Sequence, residues 1–177
     1  MSEEDSDNES VYYHANTIFF FCDVTDKSIC DLCVILKKVT MLHGTVNLCI
    51  RSGGGDVYAG FAGMDYIRTL IAQGFIIETT VYGLCASAAT FLLLAGSKRL
   101  MGRNAYVLIH QLSVDIGGTY NDLRDNMKTN KKLMKNFRRI YTEYTDMTSE
   151  MLDKVFTSDV NLSVGKCLKY GIVHECI

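Results

Sequence analysis

Residues 76–96 read IIETTVYGLCASAATFLLLAG, and the order of structure in this stretch decides the fold. Residues 76–82 form an apolar, β-branched run of the kind that makes a buried strand. Residues 88–95 form an apolar run of helical type. Between them stands Ser87, the one polar group of residues 83–96 poised to react. A serine between a strand end and a helix start has its hydroxyl held at a turn, near backbone N–H groups that no intrahelical carbonyl satisfies. Such N–H groups can stabilise an oxyanion. This is the logic of a nucleophile elbow, although the Gly-x-Ser-x-Gly pattern is absent. A helix N-cap is the competing reading of Ser87, and from this segment alone both stand.

Working outward, the same alternation recurs. On the N-terminal side, 17–22 reads as a strand, 23–26 as a turn and 27–38 as a helix. Residues 46–50 read as a buried strand broken by Ser52-Gly53-Gly54-Gly55, and 57–73 as a helix with Phe61, Met64, Ile67, Leu70 and Ile71 on one face. On the C-terminal side, 99–101 and 105–109 read as strands, the second ending at His110. After Gly117-Gly118, a long helix is expected over 120–144, with an apolar stripe of Tyr120, Leu123, Met127, Met134, Phe137, Tyr141 and Tyr144. Such a stripe must pack on something. Thr148 or Ser149 can cap a short helix to Phe156, Ser163 can cap another that stops at Gly171, and Ile172 and Val173 suit a last strand. Strand and helix in repeated order indicate an α/β domain with parallel pairing. Residues 1–14 are assigned to an acidic tail without a fixed fold, and 15–177 to one domain.

The bulk numbers bound the function. The chain has 177 residues, 48% of them hydrophobic, enough for one domain with a substantial core. A formal charge of −2 gives no reason to expect a nucleic-acid partner. The basic residues between Lys128 and Arg139 fall at helical spacing and read as a solvated helix face. No apolar stretch approaches the length of a membrane span, and no signal-peptide pattern is present, so a soluble chain of the cytoplasm, or of an organelle, is expected. The seven cysteines suit reduced thiols. Cys30 and Cys33 form a C-x-x-C without a second ligand pair, and read as core positions of a helix. There is no proline, so turns rely on Gly, Asn, Asp and Ser.

Three points carry candidate chemistry: Ser87, His110 and the 52–55 glycine run. Serine is a poor nucleophile until a base takes its proton, and histidine is the usual base near neutral pH. Such a base contributes ~10²–10⁴-fold in rate. The base in turn wants a carboxylate to fix its tautomer. Asp115, Asp122, Asp125, Asp146, Asp153 and Asp159 are all candidates on residue type alone. The glycine run opens backbone conformations in which N–H groups point into a site, and one oxyanion donor is worth ~2.7–4 kcal/mol in the transition state. A phosphate cradle is disfavoured because the Gly-x-x-x-x-Gly-Lys-Ser/Thr and Gly-x-Gly-x-x-Gly patterns are absent.

Four segments together resemble the proteolytic subunit of the Clp protease, the ClpP family. IRSGGGDVYAG (50–60) is similar to that family's Ser-Pro-Gly-Gly segment with its downstream Ala-Gly. GLCASA (83–88) resembles its Gly-x-Ala-Ala-Ser-Met nucleophile turn, and IHQ (109–111) its Ile-His-Gln-Pro. DVNLS (159–163), followed by Tyr170-Gly171, resembles its Arg-Asp-x-x-Leu/Met-Ser segment and Tyr-Gly. The resemblance implies a crotonase-like α/β spiral fold of repeated β-β-α units with a handle helix. It implies Ser87 as nucleophile, His110 as general base and Asp159 as the orienting acid, with the backbone N–H groups of Gly55 and Ala88 as oxyanion hole. The implied activity is serine endopeptidase action on unfolded polypeptides inside a chamber of two seven-membered rings. An AAA+ unfoldase of ClpX, ClpA or ClpC type would feed the chamber and use the ATP; the peptidase itself would need no metal or other cofactor. The chain departs from the family pattern at Gly53 and Leu112, where the family has proline, and at Ser158, where it has an arginine that helps hold ring to ring. A catalytically inactive subunit of a mixed ring is the alternative the family also contains, and an acyl-CoA enzyme of crotonase fold is a third reading.

Overall fold

The computed structural model describes residues 11–177. The first strands are β1 (Tyr12–His14), β2 (Thr17–Phe20), β3 (Thr45–Ser52) and β4 (Ile76–Ala86); β5 (Lys98–Met101), β6 (Tyr106–Leu108), β7 (Leu162–Ser163) and β8 (Glu175–Cys176) follow. The sheet runs in the order β1-β2-β3-β4-β5-β8, with β6 and β7 branching from β4. Pairing is parallel except for the β1–β2 hairpin and the β6–β7 pair. The expected α/β class with parallel strands is therefore the observed one.

The branch in β4 positions the site. Its first half pairs with β5, from Glu78↔Lys98 to Val81↔Met101. Its second half pairs with β6, from Leu84↔Tyr106 to Ala86↔Leu108. Gly83 stands between the halves with φ +69°, a left-handed conformation that costs little only without a Cβ. On the other side, the register with β3 shifts between Ile50 and Ser52. One continuous strand thus serves two diverging layers, and Ser87 lies at the end of the second.

Helices α1 (Asp26–His43), α2 (Val57–Ala72) and α3 (Ala89–Ala95) cover the sheet. In α1, Ile29, Leu32, Leu36 and Val39 are buried at three- and four-residue steps. Its start is fixed by a capping box: the Ser28 N–H donates to Thr25 Oγ1 (3.1 Å) and the Thr25 N–H to Ser28 Oγ (2.9 Å). Helix α3 is buried along its whole length, which explains its uniform apolar composition. The remaining helices are α4 (Tyr120–Tyr144), α5 (Ser149–Phe156) and α6 (Val164–Lys169). Phe61, Phe91, Phe137, Tyr141 and Phe156 form a ring cluster, with successive centroids 5.0, 5.3, 6.2 and 5.9 Å apart along the pairs Phe61–Phe91, Phe91–Phe137, Phe91–Tyr141 and Tyr141–Phe156. The cluster ties α2, α3, α4 and α5 together.

Helix α4 is anchored over its C-terminal part only. Phe137, Ile140 and Tyr141 are buried there, whereas Tyr120, Leu123 and Met127 are 78%, 40% and 53% exposed. The apolar stripe read from the sequence is real, but among the described residues its first half is left exposed. Lys128, Lys131, Lys132 and Lys135 are exposed, as a solvated face requires. The C-terminal segment is held by Arg99, whose buried guanidinium donates to the carbonyls of Ile172 (2.9 Å) and Gly171 (2.8 Å).

Several details differ from the sequence reading. Residues 1–10 of the expected tail lie outside the described residues; of the rest, Val11 is buried and Tyr12–His14 pair with β2, so the folded part begins before residue 15. Ile172 and Val173 are buried but the last strand is Glu175–Cys176. Thr148, not Ser149, caps α5, its hydroxyl accepting from the Met151 N–H (3.3 Å). Cys30 is exposed and Cys33 only partly covered, so the C-x-x-C pair is not a core pair. Among the described residues no helix is long and apolar enough to cross a membrane, and no cluster of His, Cys, Asp and Glu is arranged to hold a metal.

Candidate active site

Ser87 sits immediately after β4, half-buried, with φ +53°. A left-handed serine costs on the order of 1–3 kcal/mol and persists only where its surroundings fix it. The cap of α3 is Ala88, and no side-chain hydrogen bond caps that helix. The N-cap reading of Ser87 is thereby removed, because its hydroxyl does not serve α3. What holds the turn is backbone and neighbouring hydroxyl. The Ser87 N–H donates to Leu108 O (2.9 Å), extending the β4–β6 ladder by one rung. Ser87 O accepts from the Thr90 N–H (2.9 Å) and from Thr90 Oγ1 (2.6 Å).

The glycine run abuts this turn. A Cβ placed on Gly54 would lie 2.6 Å from Ser87 Cβ and 2.7 Å from Ala86 O, so only glycine permits the approach. Its φ of +98° gives a second reason for glycine. The Gly54 N–H donates to Ser52 Oγ (3.1 Å), and its carbonyl accepts from the Val24 N–H (2.7 Å). Gly55 makes a parallel bridge with Val24, whose carbonyl also accepts from the Asp56 N–H (2.8 Å). The loop is thus tied on both sides. Neither the Gly55 N–H nor the Ala88 N–H has a hydrogen-bond acceptor among the described residues.

His110 follows β6, the strand that pairs with the Ser87 end of β4. The parallel ladder therefore carries both residues to the same end of the same layer. The His110 ring holds Gln111 O at 2.6 Å through Nδ1. A carbonyl only accepts, so Nδ1 carries the proton and the Nε2 lone pair is left as the basic one. Asp159 precedes β7, which pairs antiparallel with β6 through Val107↔Leu162 and Tyr106↔Ser163. Continued three steps back from Leu162 and three forward from Val107, the same register would set Asp159 opposite His110. The ladder stops short of that point: the Val160 N–H turns back to Ser158 O (2.8 Å), and the Gln111 N–H donates to Phe156 O (3.3 Å). Asp159 is exposed. The structure brings the segments of all three residues to one end of the β4–β6–β7 layer, and no hydrogen bond joins Ser87 to His110 or His110 to Asp159.

Of the other candidate carboxylates, Asp122 is used by the capping box of α4, where Thr119 Oγ1 and the Thr119 N–H hold its carboxyl below the usual range. Asp153 pairs with Arg138, and Asp125 with Lys128 (2.9 Å). Cys85, two residues before Ser87, is fully buried and burial pushes its thiol up, so it does not compete as nucleophile. Beside the site, a concavity of about 210 Å³ is lined by Asp23, Arg51, Ser52, Gly53 and Leu84 among others. A larger, more apolar one of about 650 Å³ lies on the open sheet face, lined by Phe19, Phe21, Cys49 and Tyr82 among others.

Two residues of this neighbourhood carried no signal of their own in the sequence. Thr90 is fully buried inside an apolar run, and Tyr141 reads as one more position of the α4 stripe. Gly54, rather than Gly55, is the glycine that touches Ser87, and nothing in a row of three glycines distinguishes them.

A model of the Clp protease family matches residues 2–177. The chain is 33% identical over 134 residues to the ATP-dependent Clp protease proteolytic subunit of Deinococcus radiodurans, covering 75% of this chain and 64% of that protein. It is 31% identical over 172 residues to the ATP-dependent Clp protease proteolytic subunit 1 of Chlamydia abortus, covering 90% and 84%. To subunit 2 of Bifidobacterium longum it is 33% identical over 132 residues, covering 73% and 62%. The chain therefore spans slightly under two thirds of two of these relatives and most of the third.

Proposed function

Because the chain belongs to the Clp protease family, we propose that it is a serine endopeptidase subunit that hydrolyses peptide bonds of unfolded polypeptides within an oligomeric chamber. The observation that carries this reading is Ser87 in a left-handed turn between Gly54 and the end of β6, beside two N–H groups without acceptors among the described residues. Ser87 Oγ attacks the scissile carbonyl as His110 Nε2 takes its proton. The N–H groups of Gly55 and Ala88 receive the developing oxyanion, and His110 returns the proton to the leaving amine. Water then repeats the cycle on the acyl-enzyme. No cofactor is required by these steps.

Asp159 is the orienting carboxylate of this reading. In the single chain Gln111 O does part of its work, because it fixes the tautomer that leaves Nε2 basic. A carbonyl cannot compensate the imidazolium formed during attack as a carboxylate can. Full activity therefore requires the β6–β7 pairing to extend until Asp159 replaces Gln111 O on Nδ1. The exposed half of the α4 stripe supports self-assembly, into heptameric rings that stack in pairs, as the surface where this extension is coupled to assembly. The apolar concavity at Phe19, Phe21 and Tyr82 is the surface we assign to an AAA+ unfoldase, which supplies the unfolded substrate and uses the ATP.

A fluorophosphonate probe and a fluorogenic peptide test the reading. The assembled protein is expected to be labelled at Ser87 and to cleave the peptide. Ser87→Ala should lose both, and Asp159→Asn should keep the label site while cleavage falls by ~10³–10⁴-fold. Assembled protein that neither reacts with the probe nor cleaves the peptide overturns it.

A further inference from the structure

The left-handed conformation of Ser87 needs something to hold it, and a side-chain hydrogen bond joins the two backbone ones, to Leu108 and from Thr90, at this residue. Ser87 O receives a hydrogen bond from Thr90 Oγ1 at 2.6 Å as well as from the Thr90 N–H. Thr90 Oγ1 in turn lies 2.5 Å from the phenol oxygen of Tyr141 on α4. A hydroxyl has one proton. Thr90 spends its proton on Ser87 O, which can only accept, so the Tyr141 hydroxyl must be the donor between the two. The bonds form a directed chain, Tyr141 O–H to Thr90 Oγ1 to Ser87 C=O. Both side chains are buried, with Thr90 wholly so and Tyr141 2% exposed. Burial pushes the Tyr141 phenol up, so it stays protonated and remains a donor.

We infer that Thr90 and Tyr141 are positioning residues for the nucleophile: they lock the Ser87 carbonyl, and with it the left-handed turn that presents Oγ, from the anchored half of helix α4. Both residues are buried, so they act through the turn. The inference rests on the reading of Ser87 as nucleophile, and it adds that α4 acts on the turn through two hydroxyls and not only through packing. The geometry favours this over simple satisfaction of buried hydroxyls. Thr90 Oγ1 makes the i−3 back-bond that Thr40, Thr142 and Thr157 also make in their helices, but only here is the accepting carbonyl that of a left-handed residue and the hydroxyl itself held by a second one; Tyr141 could have been Phe in the ring cluster formed with Phe91 and Phe156. Instead the two meet each other and end on the one strained residue of the site.

The test uses the full-length assembled protein with Thr90→Val, Thr90→Ser, Tyr141→Phe and the Thr90→Val/Tyr141→Phe double variant. Tyr141→Phe removes one atom from a ring cluster that survives, so it folds even if Thr90→Val does not. Thr90→Val is expected to lower kcat and the rate of fluorophosphonate labelling by about tenfold with KM unchanged, since a small misplacement of a reacting atom costs up to ~10²-fold. Thr90→Ser should restore both, Tyr141→Phe should fall in the same direction, and the double variant should be no slower than Thr90→Val alone. Crystal structures give an arm independent of activity: Ser87 is expected to leave φ near +53° in Thr90→Val and to keep it in Thr90→Ser. Unchanged rates in both Thr90→Val and Tyr141→Phe, additive losses, failure of Thr90→Ser to rescue, or an unmoved Ser87 in Thr90→Val each overturn the inference. Should the unaltered protein neither label nor cleave, the nucleophile reading fails, while the position of Ser87 in the variants still decides this one.

Discussion

At the scale of single residues, the site is a matter of what has no side chain and what has a strained one. Gly54 leaves room for Ser87, and a methyl group there would collide with Ser87 Cβ and Ala86 O. Gly54→Ala is therefore expected to cost ~1–3 kcal/mol of stability and, by displacing the nucleophile, about 10²-fold in kcat. Urea unfolding and peptide hydrolysis measure the two separately. The converse change relieves strain. Ser87→Gly frees the left-handed φ and should be about 1 kcal/mol more stable than Ser87→Ala, although neither can be acylated; thermal unfolding of the pair decides it. Ser87 was legible in the sequence as a lone polar group between two apolar runs. Its partners were less so, because a buried threonine and a stripe tyrosine look like packing until their oxygens are seen to meet.

At the scale of elements, helix α4 is the piece whose sequence and surroundings disagree. Tyr120, Leu123 and Met127 continue the stripe that Phe137, Ile140 and Tyr141 bury, yet they face solvent. Leu123→Asp should leave the fold and its thermal midpoint nearly unchanged in dilute solution, and should lower the assembled fraction seen by analytical ultracentrifugation. Long periodic elements such as α1, α2 and α4 were readable because each carries several apolar positions at one period. Strands β1, β7 and β8 were not, because two or three residues cannot display a period, and pairing rather than composition makes them strands. The same limit hid the mutual register of His110 and Asp159. Only the β6–β7 pairing, at Tyr106↔Ser163 and Val107↔Leu162, brings their two segments side by side.

At the scale of the whole molecule, the C-terminal segment closes the sheet through Arg99 and His174. The Arg99 N–H donates to His174 Nδ1 (3.1 Å), which requires that nitrogen to be unprotonated. Burial, and then the positive charges of Arg99 and Lys98, lower the His174 pKa from its ordinary 6.5, with Asp146 opposing. The unfolded chain therefore binds this proton more readily than the folded one. The contribution is fully present above about pH 6.5 and is lost as pH falls through the lower, folded value. Thermal midpoints measured from pH 7.5 to 5 should decline, and His174→Asn, whose Oδ1 can take the same bond without titrating, should decline less.

A 25-residue rod fastened at one end also has a consequence for time. The first turns of α4 have a capping box and little else, and isolated helical turns are marginal in water. In dilute solution their amide protons should exchange with deuterium far faster than those around Tyr141. Raising the protein concentration should slow them, so that the far end of the rod is made rigid by neighbours and not by its own chain.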